Sequence, residues 1–254
     1  MNNSEEKLIS ILADLKKNYF VKGLKVEFEQ EGATFEETEI SKKLCETLGL
    51  NLIVKIGGCG AVRDLSDAKK VKANTIVAPM IETPYALEKY VNAIENTFDE
   101  TETTNFFIDI ETATGFKNID DIISSKSFEL IKGVVVGRSD LAGSLGLNKE
   151  DVNSQQIFEI TDKISKKIEP LGKKFIVGGS VLPKSLCFFK NLPYLSAFET
   201  RKIIFHADAL KSEDLDKGIM KAIEFEIEWL KYKKELSSKD QKRLEYLEKQ
   251  FSKI

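Results

Sequence analysis

The chain has 254 residues, 42% of them apolar, which is enough for one α/β barrel or two smaller domains with a sizeable core. Its net charge of −3, with Lys and Arg spread throughout, gives no electrostatic footprint for nucleic acid, and no apolar run of about eighteen residues exists to span a bilayer. The opening MNNSEEKLISIL lacks the basic-then-apolar order of a secretory signal, Cys45, Cys59 and Cys187 form no CxxC pair, and His206 is the only histidine; these features predict a reduced, cytoplasmic protein with neither disulfides nor a multi-histidine metal centre.

In chain order, Glu5–Asn18 has the apolar spacing of an amphipathic helix. Leu24, Val26 and Phe28 then alternate with Lys25, Glu27 and Glu29, as in a strand with one polar face. In a barrel those acids either face a site or pair with lysines elsewhere. Phe35–Leu48 reads as a helix ended by Gly49. Leu52–Ile56 reads as a strand that runs into the loop Gly57–Gly58–Cys59–Gly60, where glycines permit close backbone approach. Lys55 stands inside that otherwise apolar strand, so it either snorkels or meets an acid. Arg63, beyond the glycine loop, is a second candidate cation or a solvent-exposed helix-start residue. Leu65–Lys72 is predicted helical and Thr75–Ala78 a third strand, ending near Glu82; Pro84 opens a helix over Tyr85–Thr97.

The segment Asn105–Leu147 carries the strongest signal. Two short apolar runs, Phe106–Ile110 and Val134–Val136, read as buried parallel strands, with helical spacing over Phe116–Ser125 between them. Each run leads to an acid beside a small-residue loop: Glu111 before Thr112–Gly115, and Asp140 just past Gly137. Both acids should emerge on the carboxyl edge of one sheet, where parallel α/β folds place their sites. There they are either ordinary surface charges at strand ends or a pair of oxygen ligands suited to a hard divalent cation such as Mg2+. The segments MIETPYALEKY and DIETATGFKNI repeat one strand–Ile-Glu-Thr–helix unit, which makes Glu82 a third acid on the rim.

Asp151–Ile168 is predicted helical, Lys174–Val177 a strand ending in Gly178–Gly179, and Lys184–Lys190 a helix. The last strand region, LSAFETRKIIF, sets Glu199 and Arg201 among apolar residues, close enough to pair with each other or to reach into the mouth. An eighth strand is expected near Ser180–Val181 or Ile203–Phe205. Charge-rich helices over Ser212–Lys234 and Ser238–Ser252 follow; their apolar positions Ile223, Ile227, Trp229 and Leu230 predict packing on the barrel or a homo-oligomer contact. The whole reads as one (β/α)8 TIM barrel over residues 1–254, with extra C-terminal helices at 212–254.

The residues IETATGFKNID and VVVGRSDLAGSLGL, with VKIGG and IVAPMIET upstream, resemble the HpcH/HpaI aldolase and citrate lyase β-subunit family of phosphoenolpyruvate/pyruvate-binding barrels. The resemblance spans roughly Leu24 to Phe205. It implies a metal-dependent carbon–carbon lyase that works through the enolate of a 2-oxo acid or acyl thioester, with Mg2+ or Mn2+ on Glu111 and Asp140. Two departures stand out: Lys55 occupies the place of the family's strand-two arginine, and Gly32 that of the aldolase branch's proton-transfer histidine. Lys55 is then the substrate-facing cation, expected to face inward. Glu27, Glu29 and Glu82 are candidate proton carriers. Arg138, Gly137 and Ser139 are candidate substrate contacts, with Arg138 either binding a substrate anion or neutralising the acid pair. The alternatives are phosphoenolpyruvate-type mutase or phosphoryl transfer, and a metabolite-binding barrel without turnover.

Overall fold

The computed structural model describes residues 3–99 and 103–251. After the opening helix α1 (Asn3–Tyr19), strands and helices alternate: β1 (Val21–Glu27), α2 (Phe35–Leu48), β2 (Asn51–Lys55), α3 (Val62–Lys70), β3 (Thr75–Ala78), α4 (Pro84–Thr97) and β4 (Asn105–Asp109). Two short helices, α5 (Ala113–Lys117) and α6 (Ile119–Ser124), replace the single one expected there. β5 (Gly133–Gly137), α7 (Arg138–Ser144), α8 (Gln155–Ile168), β6 (Lys174–Gly178), α9 (Leu186–Lys190), β7 (Ala197–Glu199) and β8 (Ile203–His206) complete a closed eight-stranded barrel, the TIM-type architecture the alternation implies. Local chemistry sets several boundaries. Thr34 and Glu37 form a reciprocal capping box at the start of α2, and Gly49 ends that helix in the left-handed region at φ 60°. Thr83 caps α4 ahead of Pro84.

β1 to β7 pair in parallel, but β8 runs antiparallel to both β7 and β1. The expected all-parallel barrel is corrected here for a plain reason. Only Thr200–Lys202 separates β7 from β8, and a parallel crossover needs about a dozen residues.

Side chains alternate across the wall. Leu24, Val26, Leu52, Val54, Ile108 and Val136 face the helix layer and belong to the large outer core. Ile53, Val77, Phe107, Val135, Ala197 and Ile204, with Ile176 against them, form a separate apolar plug inside the barrel. Two residues further along, several strands change chemistry: Lys55 follows Ile53, Asp109 follows Phe107, Gly137 follows Val135, Gly178 follows Ile176 and Glu199 follows Ala197. The barrel interior is therefore apolar at one level and charged at the next.

α10 (Leu215–Tyr232) and α11 (Ser238–Phe251) follow the last strand, and α10 packs on α1 and α11. Ile223, Ile227, Trp229 and Leu230 are buried inside this one chain. Their apolar character, the basis of the expected subunit contact, is thus used up by intramolecular packing. Among the described residues, no helix is long and apolar enough to cross a membrane.

Candidate active site

The charged level of the barrel opens into a cavity of about 590 Å3. Its floor holds Lys25, Glu27, Lys55, Asp109, Glu111 and Glu199; Gly137, Ser139, Asp140 and the Gly178–Lys184 segment line one side, and α10 and α11 contribute Met220, Ile223, Leu247 and Phe251 to the outer wall.

Lys55 is the hub of one cluster. Its Nζ lies 3.0 Å from Glu111 Oε2, 3.0 Å from Asp109 Oδ2 and 3.2 Å from Glu29 Oε2. The lysine thus faces inward, as its place in the strand requires, and is buried against acids. Burial opposes its charge, but Asp109, Glu111 and Glu29 outweigh that and raise its pKa. Arg63 is exposed in the first turn of α3 and does not line the cavity.

Lys25 is the hub of a second cluster, with Nζ 2.6 Å from Glu199 Oε1 and 2.9 Å from Glu27 Oε1. β1 therefore sends its polar face into the barrel. Both readings of that strand meet in Glu27, which lines the cavity and pairs with Lys25. Glu199 pairs with Lys25 instead of Arg201. Arg201 donates to Gln30 Oε1 at 3.3 Å and lies 3.7 Å from Glu226, which Arg243 grips through two nitrogens at 2.7 and 3.0 Å.

The floor is short of positive charge. Five carboxyls, Glu27, Glu29, Asp109, Glu111 and Glu199, meet only the two ammonium groups of Lys25 and Lys55. Burial, with the adjacent Asp109 carboxylate, pushes Glu111 up to about 9 despite the pull of Lys55. Asp109 Oδ1 is buried and has no hydrogen-bond partner among the described residues. A Cβ on Gly137 would fall 2.5 Å from Glu111 Oε2 and 3.5 Å from Asp109 Oδ1. Glycine at this inward position leaves the space those carboxyls occupy, and Asp140 lines the same cavity from the first turn of α7. Among the described residues, no three His, Cys, Asp or Glu side chains form a ready metal cage. Mg2+, however, takes one or two carboxylates and completes its shell with water or ligand oxygens. A surplus of carboxylates with an orphaned oxygen fits such an ion.

Other expected site residues are placed elsewhere. Arg138 is fully buried outside the cavity lining. It donates to the carbonyls of Gly178 and Gly179 at 2.9 and 2.7 Å and to Asn153 Oδ1 at 2.6 Å, between the rings of Phe188 and Phe189 at 4.7 Å each. It ties β6 to α7 from outside the cavity lining, away from Glu111 and Asp140. Glu82 accepts from the Thr112 hydroxyl at 2.6 Å and does not line the cavity. Glu29 touches Lys55 but is not part of the cavity surface. Ser139 lines the cavity with its Oγ 2.9 Å from Ser180 Oγ. Asp109 and Lys25 carried no role in the sequence reading. The signal for Asp109 was available, since it stands two residues before Glu111 in an apolar strand, as Lys55 stands alone in β2.

Residues 46–175 match the profile of the HpcH/HpaI aldolase/citrate lyase family, and the chain belongs to that family. Solved structures share the fold. The citrate synthase SbnG superposes with a TM-score of 0.59 at 17% identity, over 76% of this chain and 81% of that one. An HpcH/HpaI aldolase/citrate lyase family protein from Burkholderia cenocepacia J2315 gives 0.63 at 15% identity, over 87% and 89%. The HpcH/HpaI aldolase from Desulfitobacterium hafniense DCB-2 gives 0.60 at 14%, over 87% and 89%. No curated protein matches the chain in sequence.

Proposed function

We propose that this barrel is a metal-dependent carbon–carbon lyase that cleaves or forms a bond next to the carbonyl of a 2-oxo acid or acyl thioester. The observation that carries this reading is the cavity floor itself: a surplus of buried carboxylates around Glu111, with an orphaned Asp109 oxygen, beside the fixed ammonium of Lys55. Glu111 and Asp140 would hold Mg2+ or Mn2+, with Asp109 alongside. When bound, such an ion polarises a carbonyl oxygen as a Lewis acid. Lys55 adds positive charge that is already in place where an enolate oxygen gains its negative charge, so no reorganisation is needed during the reaction. The plug of Ile53, Val77 and Phe107 closes the barrel beneath the floor.

Neither lysine suits Schiff-base chemistry. Both Lys25 and Lys55 are held in the charged form by their acids, and an ammonium has no electron pair with which to attack a carbonyl.

The test is a screen of hydroxy-oxo-acids and acyl-CoA esters for release of a 2-oxo acid product. Turnover should stop with chelator and return with Mg2+ or Mn2+. Turnover of phosphorylated substrates alone, or turnover indifferent to chelator, would contradict the proposal.

A further inference from the structure

We propose that Glu199, on β7, is the acid–base that moves the carbon-bound proton in this cavity, an inference that rests on the enolate reading above. Making or quenching an enolate requires one group that takes a proton from carbon and returns it. His206, the only histidine in the chain, does not line the cavity and sits 3.0 Å from Asp208. Glu111, Asp140 and Asp109 are engaged with the cation position or with Lys55. Glu226 is gripped by Arg243, and Asp216 is exposed in the first turn of α10, away from the floor. Glu27 and Glu199 remain, two carboxyls that share the single ammonium of Lys25.

Their surroundings separate them. Glu27 has Lys25 in contact and Lys55 and Arg201 nearby, and despite its burial these cations hold it at about 2. Glu199 is buried and pairs with Lys25, while Asp109 from β4 and Glu27 from β1 add like charge, so burial and these neighbours raise its pKa. Glu199 is thus the less strongly charge-compensated carboxyl of the two, and two carboxyls in divergent surroundings are the pattern from which acid and base roles are assigned. Space is provided for it: a Cβ on Gly178 of the adjacent strand would lie 2.9 Å from Glu199 Cγ and 3.1 Å from Oε1.

The step balances without a further reactant. The O–H bond of Glu199 breaks and its electron pair stays on the carboxylate. The electron pair of the enolate carbon forms the new C–H bond, and Lys25 at 2.6 Å stabilises the carboxylate left behind. In reverse, the carboxylate takes the proton and the C–H pair returns to the enolate.

The experiment uses the full chain with Mg2+ and two probes: oxalate, whose binding is measured by calorimetry, and pyruvate, whose methyl hydrogens are followed by NMR as they exchange in D2O. Glu199→Gln should bind oxalate as the wild type does while exchange slows by about 10²-fold or more. Added formate should restore exchange in Glu199→Ala, which a purely structural role for the carboxyl would not allow. Should Gln at this position abolish a cooperative melt, Glu199→Asp serves instead, because it keeps a partner for Lys25 but withdraws the acid by one methylene; the same slowing is expected. Exchange at the wild-type rate in the folded variant overturns the inference. Wild-type protein that binds oxalate yet exchanges nothing also overturns it, with the lyase reading intact. Wild-type protein that neither binds oxalate nor exchanges pyruvate overturns the lyase reading and the inference with it.

Discussion

The ammonium of Lys55 lies 3.0 Å from Oδ2 of Asp109, a carboxylate two residues before Glu111 on the strand that delivers both to the cavity floor. This contact makes one lysine the counter-ion of three acids, since Glu111 and Glu29 touch it as well. Replacing Lys55 by Met should therefore cost about 3–5 kcal/mol of stability, the usual penalty for leaving buried charges unpaired. Mg2+ or Mn2+ should then recover more melting temperature in Lys55→Met than in the wild type, because the ion supplies the charge that the variant lacks. Thermal melts with and without metal check this; a variant as stable as the wild type in chelator would show that Lys55 is not the counter-ion.

Gly137 faces the same cluster from β5. Gly137→Ala would set a methyl group 2.5 Å from Glu111 Oε2 and 3.0 Å from its Cβ, forcing the carboxyl away from Asp109 at a cost of about 1–3 kcal/mol. The expected result is a folded protein whose melting temperature no longer responds to Mn2+. A full Mn2+ response would mean that Glu111 does not need the space that Gly137 leaves.

Arg138 should behave as a structural residue. Arg138→Met strands the carbonyls of Gly178 and Gly179 and the Asn153 side chain, and each unsatisfied buried group costs about 1–3 kcal/mol. Urea unfolding should show a loss of about 3 kcal/mol or more. Arg138→Lys should rescue little, since an ammonium cannot reproduce the planar fork stacked between Phe188 and Phe189.

The three cysteines should separate in a thiol titration at pH 8. Cys187 is exposed and should react first, whereas burial pushes the Cys45 thiol up to about 12. At pH 8 its thiolate fraction is then on the order of 10⁻⁴, too small for useful reactivity. Cys45 should label only in denaturant, and Cys187→Ser should remove the fast phase. Fast labelling of Cys45 in the native protein would contradict the packing of α2 against the barrel.

Much of this architecture was legible because each signal was local. Alternation in Leu24–Glu29, the helix-end residues Gly49 and Pro84, and the acids Glu111 and Asp140 beside small-residue loops each specify their own neighbourhood. Asp109 is legible only by its chemistry: β4 is buried on both faces, so its period of two disappears into the run Phe106–Ile110, and a single acid inside that run is the one sign of an inward polar face. The polar face of β1 was visible, but its direction was not, since solvent and a charged barrel interior select the same residues. The antiparallel β8 was implied by the three residues between Glu199 and Ile203, a spacing that a strict count of β/α units passes over. Two helices where one was expected, α5 and α6, reflect Asn118, which ends the first helical turn and sends its side-chain amide to the Glu82 carbonyl at 2.8 Å. The apolar stripe of α10 shows that a helix needs a covering surface but cannot say whose; α1 and α11 of the same chain supply it.

The most direct measurement of the central claim is calorimetric titration of Mn2+ into the wild type, Glu111→Gln and Asp140→Asn, all confirmed as folded by their melts. Glu111 and Asp140 line one cavity, so one site is expected in the wild type and a loss of about tenfold or more in affinity in each variant, the cost of one charge-assisted ligand. Equal Mn2+ affinity in all three proteins would contradict it.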